Sequence, residues 1–515
     1  MIFGFIITVL IVLVCIWKYF LDKKGGKQKV KVEYPRGPPP FPVVGNFPQI
    51  DVSTPHKTML EWKKRYGEVY TVYLPQPVVV LAGTKALTEA LVAKGDYFAG
   101  RPTTFLYTLF TQHSSDGDGI ILCRGPKWQA QRRIALRAFR GFGMGKRIME
   151  DRIMHHTQVM VQRASFLIKK NDNGLVTDLH YPLAYCFGNI IHDLVMGTKF
   201  EHDDGEFFRF KRLLDNTLEG VASVEMLLVN SFPWMRFMLP RFHRYVEEGF
   251  ALQNFFKNEI EKHEKVLKVD EKPENFIDYY LKAMKDEQQP YLSKWSCAIN
   301  SGDLWTGGLE TVVTTIRWAI IYMIHYPAVQ KKMQDELDTV IGRRFLTLSD
   351  RVNTPYFHAA LDEIQRMVNV LPWHIPHTCD KEVSVCGVLI PKGAVVMPQP
   401  GVVFHDPEIF SSPDTFRPER FIDRKGRYRP HPALNPFGIG KRACPGEALA
   451  RMELYLVLGS IIQDLEFRVD PRLGKPSLER CPGMTSVPKP TSYMIVQRHE
   501  KLLCEELGLS FLNLK

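Results

Sequence analysis

Residues 436–447 read Pro-Phe-Gly-Ile-Gly-Lys-Arg-Ala-Cys-Pro-Gly-Glu, and no other stretch limits so tightly what this chain can fold into. One cysteine, Cys444, stands in a glycine-rich loop just ahead of a run of good helix formers, Glu447 to Leu454. Pro445 suits the first turn of that helix. The cysteine is thereby placed at a helix N-terminus, where backbone N–H groups and the dipole favour negative charge. A thiolate is a soft, electron-rich metal ligand, and holding one in a dry site needs such help. Gly438, Gly440 and Gly446 let the backbone pass close to something flat and bulky, and Arg442 suits an anionic group on that object. The competing reading is a structural cysteine buried in a loop.

The 515 residues are 45% hydrophobic, which suffices for one large domain or two. A net charge of +11 calls for an anionic partner: nucleic acid, a membrane surface or an acidic protein. No zinc-finger, RNP-type or basic-zipper pattern is present, so nucleic acid is not expected. Nine cysteines, an odd number without a C-x-x-C pair, read as reduced thiols facing the cytosol. Residues 1–21 carry no charge before Lys18, and a transmembrane helix needs roughly 20 mostly apolar residues. The basic start and small-x-small cleavage site of a signal peptide are missing. Lys23, Lys24, Lys27, Lys29 and Lys31 follow, placing what comes next on the cytosolic side. The expected layout is a transmembrane anchor over 1–21, a basic and proline-rich linker over 22–45, and the main folded body over 46–515.

Further along, Val69–Leu74 and Val78–Ala82 read as strands, and Thr84–Lys94 as a helix. Residues 103–122 show little pattern and are expected to form a long loop of the kind that carries function. Arg133, Arg137 and Arg140 follow on a helix, either as a solvated face or as a docking surface for an acidic partner. Residues 147–290 are helical in period. Within them, the apolar stretch from Phe232 to Leu239 is expected to pack internally, the alternative being a dip into a bilayer surface. One helical pattern runs from Ser293 to His325, roughly 48 Å at 1.5 Å per residue. Gly307 and Gly308 in its middle cost roughly 1 kcal/mol each against alanine and so require a local reason. Val383–Val385, Val388–Ile390 and Ala394–Val396 read as short strands. His374-x-x-His377 lacks a third ligand and is not a metal pair. Gly141-Phe142-Gly143-Met144-Gly145 lacks the strand–turn–helix context of a dinucleotide site.

Phe437, Gly438, Gly440, Arg442, Cys444 and Gly446 fill every fixed position of F-G-x-G-x-R-x-C-x-G, and on that string the chain resembles the cytochrome P450 superfamily. The likeness continues through Trp128-x-x-x-Arg132, Gly307-Gly308-Leu309-Glu310-Thr311, Glu363-x-x-Arg366 and Phe416-Arg417-Pro418-Glu419-Arg420-Phe421, in the family's order. Val312 departs from the family's usual threonine or serine. The branch most similar is the animal microsomal one that metabolises drugs and fatty acids.

The resemblance implies a mainly α fold with a small β-rich lobe. It implies haem b with Cys444 as axial iron ligand, a thiolate that pushes electron density to favour O–O cleavage. It implies that Arg101, Trp128, Arg132, His377 and Arg442 hold the haem, that Glu310 and Thr311 deliver protons, and that Glu363, Arg366 and Arg420 form a buried supporting network. Ile121, Leu122, Gly307, Leu371, Trp373, His374 and Met484 are the implied substrate-lining positions. The helix bearing Gly307 is expected to be loosened there. The implied activity is a monooxygenase of the endoplasmic reticulum membrane acting on a hydrophobic small molecule, a fatty acid, steroid or xenobiotic. Its implied partners are NADPH–cytochrome P450 reductase, with cytochrome b5 as a further candidate, and membrane lipid. The alternatives are a haem-thiolate isomerase or dehydrase acting on peroxides, and a non-catalytic haem-binding interaction protein. Those rearranging enzymes often lack an acid–hydroxyl pair such as Glu310-Thr311.

Overall fold

The structure, a computed structural model, describes residues 33–42, 44–111, 114–170, 175–176, 178–201, 205–267, 270–286 and 289–498. The anchor expected over 1–21 and most of the linker lie outside them. Among the described residues no single helix is long and apolar enough to cross a membrane.

Two compact units divide the chain. The smaller draws on residues up to Pro102, on Trp373–Val403 and on Ile439–Lys441. Its centre is a four-stranded sheet of β1 (Val69–Leu74), β2 (Gln76–Leu81), β3 (His377–Thr378) and β4 (Val395–Pro398), in the order β1-β2-β4-β3. β1 and β2 pair antiparallel around Tyr73↔Pro77, and β2 runs parallel to β4. Val78, Val79, Val80 and Leu81 are buried in succession, which suits an inner strand covered on both faces. Helix α1 (Pro55–Tyr66) lays Met59 and Trp62 against Tyr70 and Val72. The helix read over Thr84–Lys94 is an α-turn, Thr84–Thr88, that relaxes into a π-turn over Glu89–Ala93. Val383–Val385 and Val388–Ile390 form a separate hairpin.

The larger unit comprises Thr103–Pro372, Phe404–Gly438 and the chain from Arg442 on. It is helical. The expected loop 103–122 holds two short helices, Phe105–Phe110 and α2 (Gly119–Leu122). Their shortness hid them, since a single turn carries no 3.6-residue repeat. Then come α3 (Gly125–Gly141), α4 (Arg147–Lys170), α5 (His180–Met196), α6 (Gly205–Ala222) and α7 (Pro240–Val266). Helix α8 (Lys294–His325) is capped by Ser293, whose Oγ accepts from Ser296 N at 3.0 Å. α8 is apolar on nearly every face in its second half, as befits a helix surrounded by others. Trp305, Trp318 and Ile320 are each within 1% of complete burial. Removing such side chains from water contributes about 1.5–3 kcal/mol apiece. α9 (Pro327–Val340), α10 (Pro355–Val368) and α11 (Glu447–Asp464) complete the bundle.

The apolar stretch from Phe232 to Leu239 packs internally only in part: Met235 and Leu239 lie against the buried cluster of Leu106, Met226, Val229, Phe242 and Tyr245. Trp234, Phe237 and Met238 are 49%, 75% and 60% exposed. The segment is a 3-10 turn, Pro233–Phe237, too short to cover all of its apolar side chains, and Arg236 lies over the Phe237 ring at 4.4 Å.

Candidate active site

The loop ahead of Cys444 is closed by Cys444 N donating to Phe437 O at 2.9 Å. Gly438 and Gly440 take φ of +74° and +78°, left-handed values that only glycine adopts without strain. A Cβ on Gly440 would stand 1.9 Å from Leu91 O, so this glycine answers to the protein's own backbone. Gly446 is the one beside the sulfur, where a methyl group would reach within 3.9 Å of Cys444 Sγ. It is also the N-cap of α11, which leaves Pro445 one residue ahead of the cap and not in the first turn.

The Cys444 side chain keeps an exposed surface. Protein atoms crowd its other sides, and this desolvation is the leading influence on the thiol, which is pushed up. Against it act the N–H groups of Gly446 and Glu447 and the Arg132 guanidinium, while the Glu447 carboxylate adds to the rise. The sulfur is thus presented at an open face with helix N–H groups behind it. The described cysteines form no disulfide.

Around the loop, α3 brings Trp128 and Arg132 onto one face, as i, i+4 spacing requires. Arg132 donates to Ala443 O at 2.6 Å. Arg442 donates to Ile120 O at 3.1 Å and Cys123 O at 2.6 Å, and its guanidinium lies 4.0 Å from the centre of the Trp128 ring. The Trp128 Nε1–H is buried and has no acceptor among the described residues. An indole N–H left so costs about 1–3 kcal/mol, which a bound acceptor would recover. A buried unpaired donor beside two guanidinium groups, next to a presented thiol, fits a group carrying both a soft metal and carboxylates.

Glu310 and Thr311 lie on α8. Thr311 Oγ1 donates to Gly307 O at 2.8 Å, and the helix is unbroken through this point. The loosening expected at the two glycines is therefore not seen. Gly308 has a packing reason: a Cβ there would come within 2.9 Å of Ile191 Cδ1 on α5. Gly307 is exposed, with nothing within 4 Å of such a Cβ.

Glu310 is buried and meets Lys211 of α6, Nζ to Oε2 3.5 Å. Lys211 is itself 2% exposed and also pairs with Asp215. Nearby, burial and then the charges of Lys211 and Arg317 push His180 down to about 3. Sequence reasoning missed Lys211, because a lysine four residues before an aspartate on an amphipathic helix reads as a surface pair. Asp303, one helical turn before the glycines, was missed too. Its carboxylate accepts from Ile121 N at 2.9 Å and so holds α2.

Of the remaining positions in the larger unit, Ile121, Leu122, Leu371 and Met484 are half-buried. Met484 sits in the turn between β5 (Arg480–Cys481) and β6 (Val487–Pro488). The supporting network is complete: Arg366 donates to both Glu363 oxygens at 2.7 and 2.9 Å, to Phe404 O at 2.6 Å and to Pro413 O at 2.8 Å. Arg420 reaches Glu363 at 3.0 Å. Arg133, Arg137 and Arg140 are exposed.

Arg101 and His377 belong to the smaller unit. Both are buried there, Arg101 donating to Pro376 O at 2.8 Å and His377 Nδ1 bonded to Phe98 O at 2.6 Å. Trp373 and His374 are half-buried in the same unit. His374 takes φ +49°, and burial, with the Arg101 charge second, pushes its imidazole down to about 4. Among the described residues no group of three or more His, Cys, Asp or Glu is placed to hold a metal ion.

A mainly helical body with a thiol presented at a helix N-terminus among arginines defines a haem-thiolate protein. The chain belongs to the cytochrome P450 family, whose model matches residues 35–495. It is 37% identical to the 3-ketosteroid oxygenase of Caenorhabditis elegans over 463 residues, 89% of this chain and 79% of that protein. It is 34% identical to cytochrome P450 2C4 of Oryctolagus cuniculus over 467 residues, 90% and 92% of the two chains. Against cytochrome P450 2B2 of Rattus norvegicus it is 33% identical over 496 residues, 95% and 98%. As a family member it is a monooxygenase that binds haem b through a cysteine thiolate, and the cysteine of the motif is Cys444.

Proposed function

We propose that this chain is a membrane-bound monooxygenase of hydrophobic small molecules, supplied with electrons from NADPH through NADPH–cytochrome P450 reductase, with cytochrome b5 as a second donor. The haem, when bound, supplies activation of O2, one atom entering a C–H bond or double bond and the other leaving as water. Cys444 holds the iron. Trp128 Nε1, Arg132 and Arg442 bind carboxylates of the haem, and by resemblance Arg101 and His377 do so as well. The observation that carries this reading is the buried, acceptorless Trp128 N–H under the Arg442 guanidinium.

Glu310 and the Thr311 hydroxyl hold and pass the protons the reaction consumes. Lys211 fixes the Glu310 carboxylate, and Gly307 O orients the hydroxyl. Ile121, Leu122, Gly307, Leu371, Trp373, His374 and Met484 face substrate. Exposed Arg133, Arg137 and Arg140 provide a basic surface for an acidic electron donor. Residues 1–21 anchor the protein in the endoplasmic reticulum membrane, residues 22–45 are the linker, and 46–515 are the catalytic part on the cytosolic side. The likeness to a 3-ketosteroid oxygenase puts steroids first among candidate substrates.

The test is reconstitution with the reductase and a panel of steroids, fatty acids and xenobiotics. Substrate-dependent NADPH consumption with oxygenated product is expected. Turnover of an organic peroxide without NADPH would instead favour the isomerase reading, and spectral binding without any turnover the non-catalytic one.

A further inference from the structure

Arg480 stands on β5 and points its guanidinium at the end of α10. It donates to Val368 O at 2.7 Å, to Met367 O, and to Ser486 Oγ at 3.3 Å. Helix α10 ends at Val368, and Asn369 closes it in the left-handed region with φ 41° and ψ 65°. The last carbonyls of a helix have no donor within the helix and form the negative end of its dipole. Here the cation that satisfies them comes from 112 residues further along the chain.

Ser486 completes the clamp. Its N–H donates to Val370 O at 2.9 Å, its hydroxyl donates to Asn369 O at 3.3 Å, and its carbonyl accepts from Trp318 Nε1 of α8. Arg480 also lies 5.7 Å from the centre of the Trp318 ring. No carboxylate forms an ion pair with it among the described residues, so carbonyls and rings stand in for a counter-ion. β5 and β6 share only two residue pairs. So short a ladder does not fix its turn, and the clamp does.

Two segments are joined in this way: 369–371, which carries Leu371, and the β5–β6 turn, which carries Met484. We propose that Arg480 is a specificity-positioning residue that holds the Met484 turn at a fixed register against residues 369–371, and so decides which C–H bond of a bound substrate is presented for oxidation. This rests on the reading above that Leu371 and Met484 face substrate. Arg480 touches no reacting atom. A lysine cannot replace it, because only a planar fork reaches two carbonyls and a hydroxyl together.

The test compares full-length haem protein carrying Arg480, Arg480→Lys, Arg480→Met or Ser486→Ala, each with reductase and NADPH, on testosterone and on lauric acid, two probes with several competing C–H bonds. The readouts are the ratio of regioisomeric products, haem content and Tm. Arg480→Met is expected to keep its haem and shift the ratio about fivefold, roughly 1 kcal/mol between competing barriers. Arg480→Lys is expected to fall between, and Ser486→Ala to shift it about twofold in the same direction. Unchanged ratios with a lowered Tm would reduce Arg480 to a helix cap and overturn the proposal. Should Arg480→Met fail to fold, Ser486→Ala decides alone, an unchanged ratio again being fatal. A wild-type protein that oxidises neither probe nor any compound of the wider panel would bring down the functional reading itself, whereas an active wild type with indifferent variants brings down only this inference.

Discussion

Two charged clusters in the larger unit invite comparison. In the first, Glu363, Arg366 and Arg420 are closed on one another: each Glu363 oxygen is met by a guanidinium, and the remaining Arg366 donors find backbone carbonyls. In the second, around Cys444, the guanidinium groups of Arg132 and Arg442 rest on carbonyls and on an indole ring, the Trp128 N–H has no acceptor, and the thiol keeps an open surface. A closed cluster has spent its bonding capacity on the fold. An open one holds capacity for something outside the chain. Removing a residue should therefore do different things in the two places.

The largest effect is expected in the closed cluster. Arg366→Ala leaves the fully buried Glu363 carboxylate without its main partner, at a cost of about 3–5 kcal/mol. Chemical denaturation or soluble yield would register it, and a variant as stable as wild type would dissolve the distinction. In the open cluster, Cys444→Ser is expected to leave far-UV circular dichroism unchanged while abolishing the ~450 nm band of the reduced carbonyl complex, which depends on thiolate ligation. Trp128→Phe is milder still. It keeps the ring under Arg442 and deletes only the N–H, so haem affinity should fall by roughly 5- to 150-fold, the worth of about 1–3 kcal/mol. Haem titration of the apoprotein measures it. If both variants lost the fold instead of the cofactor, the second cluster would be as structural as the first.

The same contrast explains what the sequence disclosed. The open cluster was legible because its residues lie in short fixed strings, Trp128-x-x-x-Arg132 and the loop to Cys444, whose spacing puts ring and guanidinium on one face and whose likeness to the family supplied the partner. The closed network was suggested only by resemblance, since an i, i+3 Glu–Arg pair is ordinary on any helix. Lys211, Asp303 and Arg480 were not legible at all. Each acts on a residue at least 99 positions away in the chain, and nothing local marks a lysine on α6 as buried against Glu310 or an arginine on β5 as the cap of α10. Bulk pattern held only in part for Phe232 to Leu239, where Met235 and Leu239 pack inward while Trp234, Phe237 and Met238 stay exposed, because an apolar stretch reads as core whether or not an element exists to cover all of it.

The smallest expected effect lies at Asp303, which like the closed cluster accepts backbone N–H bonds but, unlike either cluster, has no cation paired with it among the described residues. Its carboxyl is pushed up to about 7, chiefly by desolvation, with the neighbouring Asp118 adding to the rise and the N–H groups of Ile121 and Ile120 opposing it. Asp118 is itself engaged by Lys127 at 2.8 Å, so that cation is turned to another partner. An acid whose value rises from 3.8 on unfolding to about 7 when folded favours the fold while protonated. That contribution is fully present below pH 4 and is lost as pH climbs to 7. The full shift would correspond to about 4 kcal/mol, but the half-buried side chain reaches water and screening cuts the observable change to a small part of that. Asp303→Asn keeps an oxygen for the Ile121 N–H and cannot ionise, so its Tm should vary less between pH 5 and pH 8 and exceed that of wild type at the alkaline end. Parallel Tm–pH curves for the two proteins would show that Asp303 is charged throughout and that α2 is held by an ordinary carboxylate.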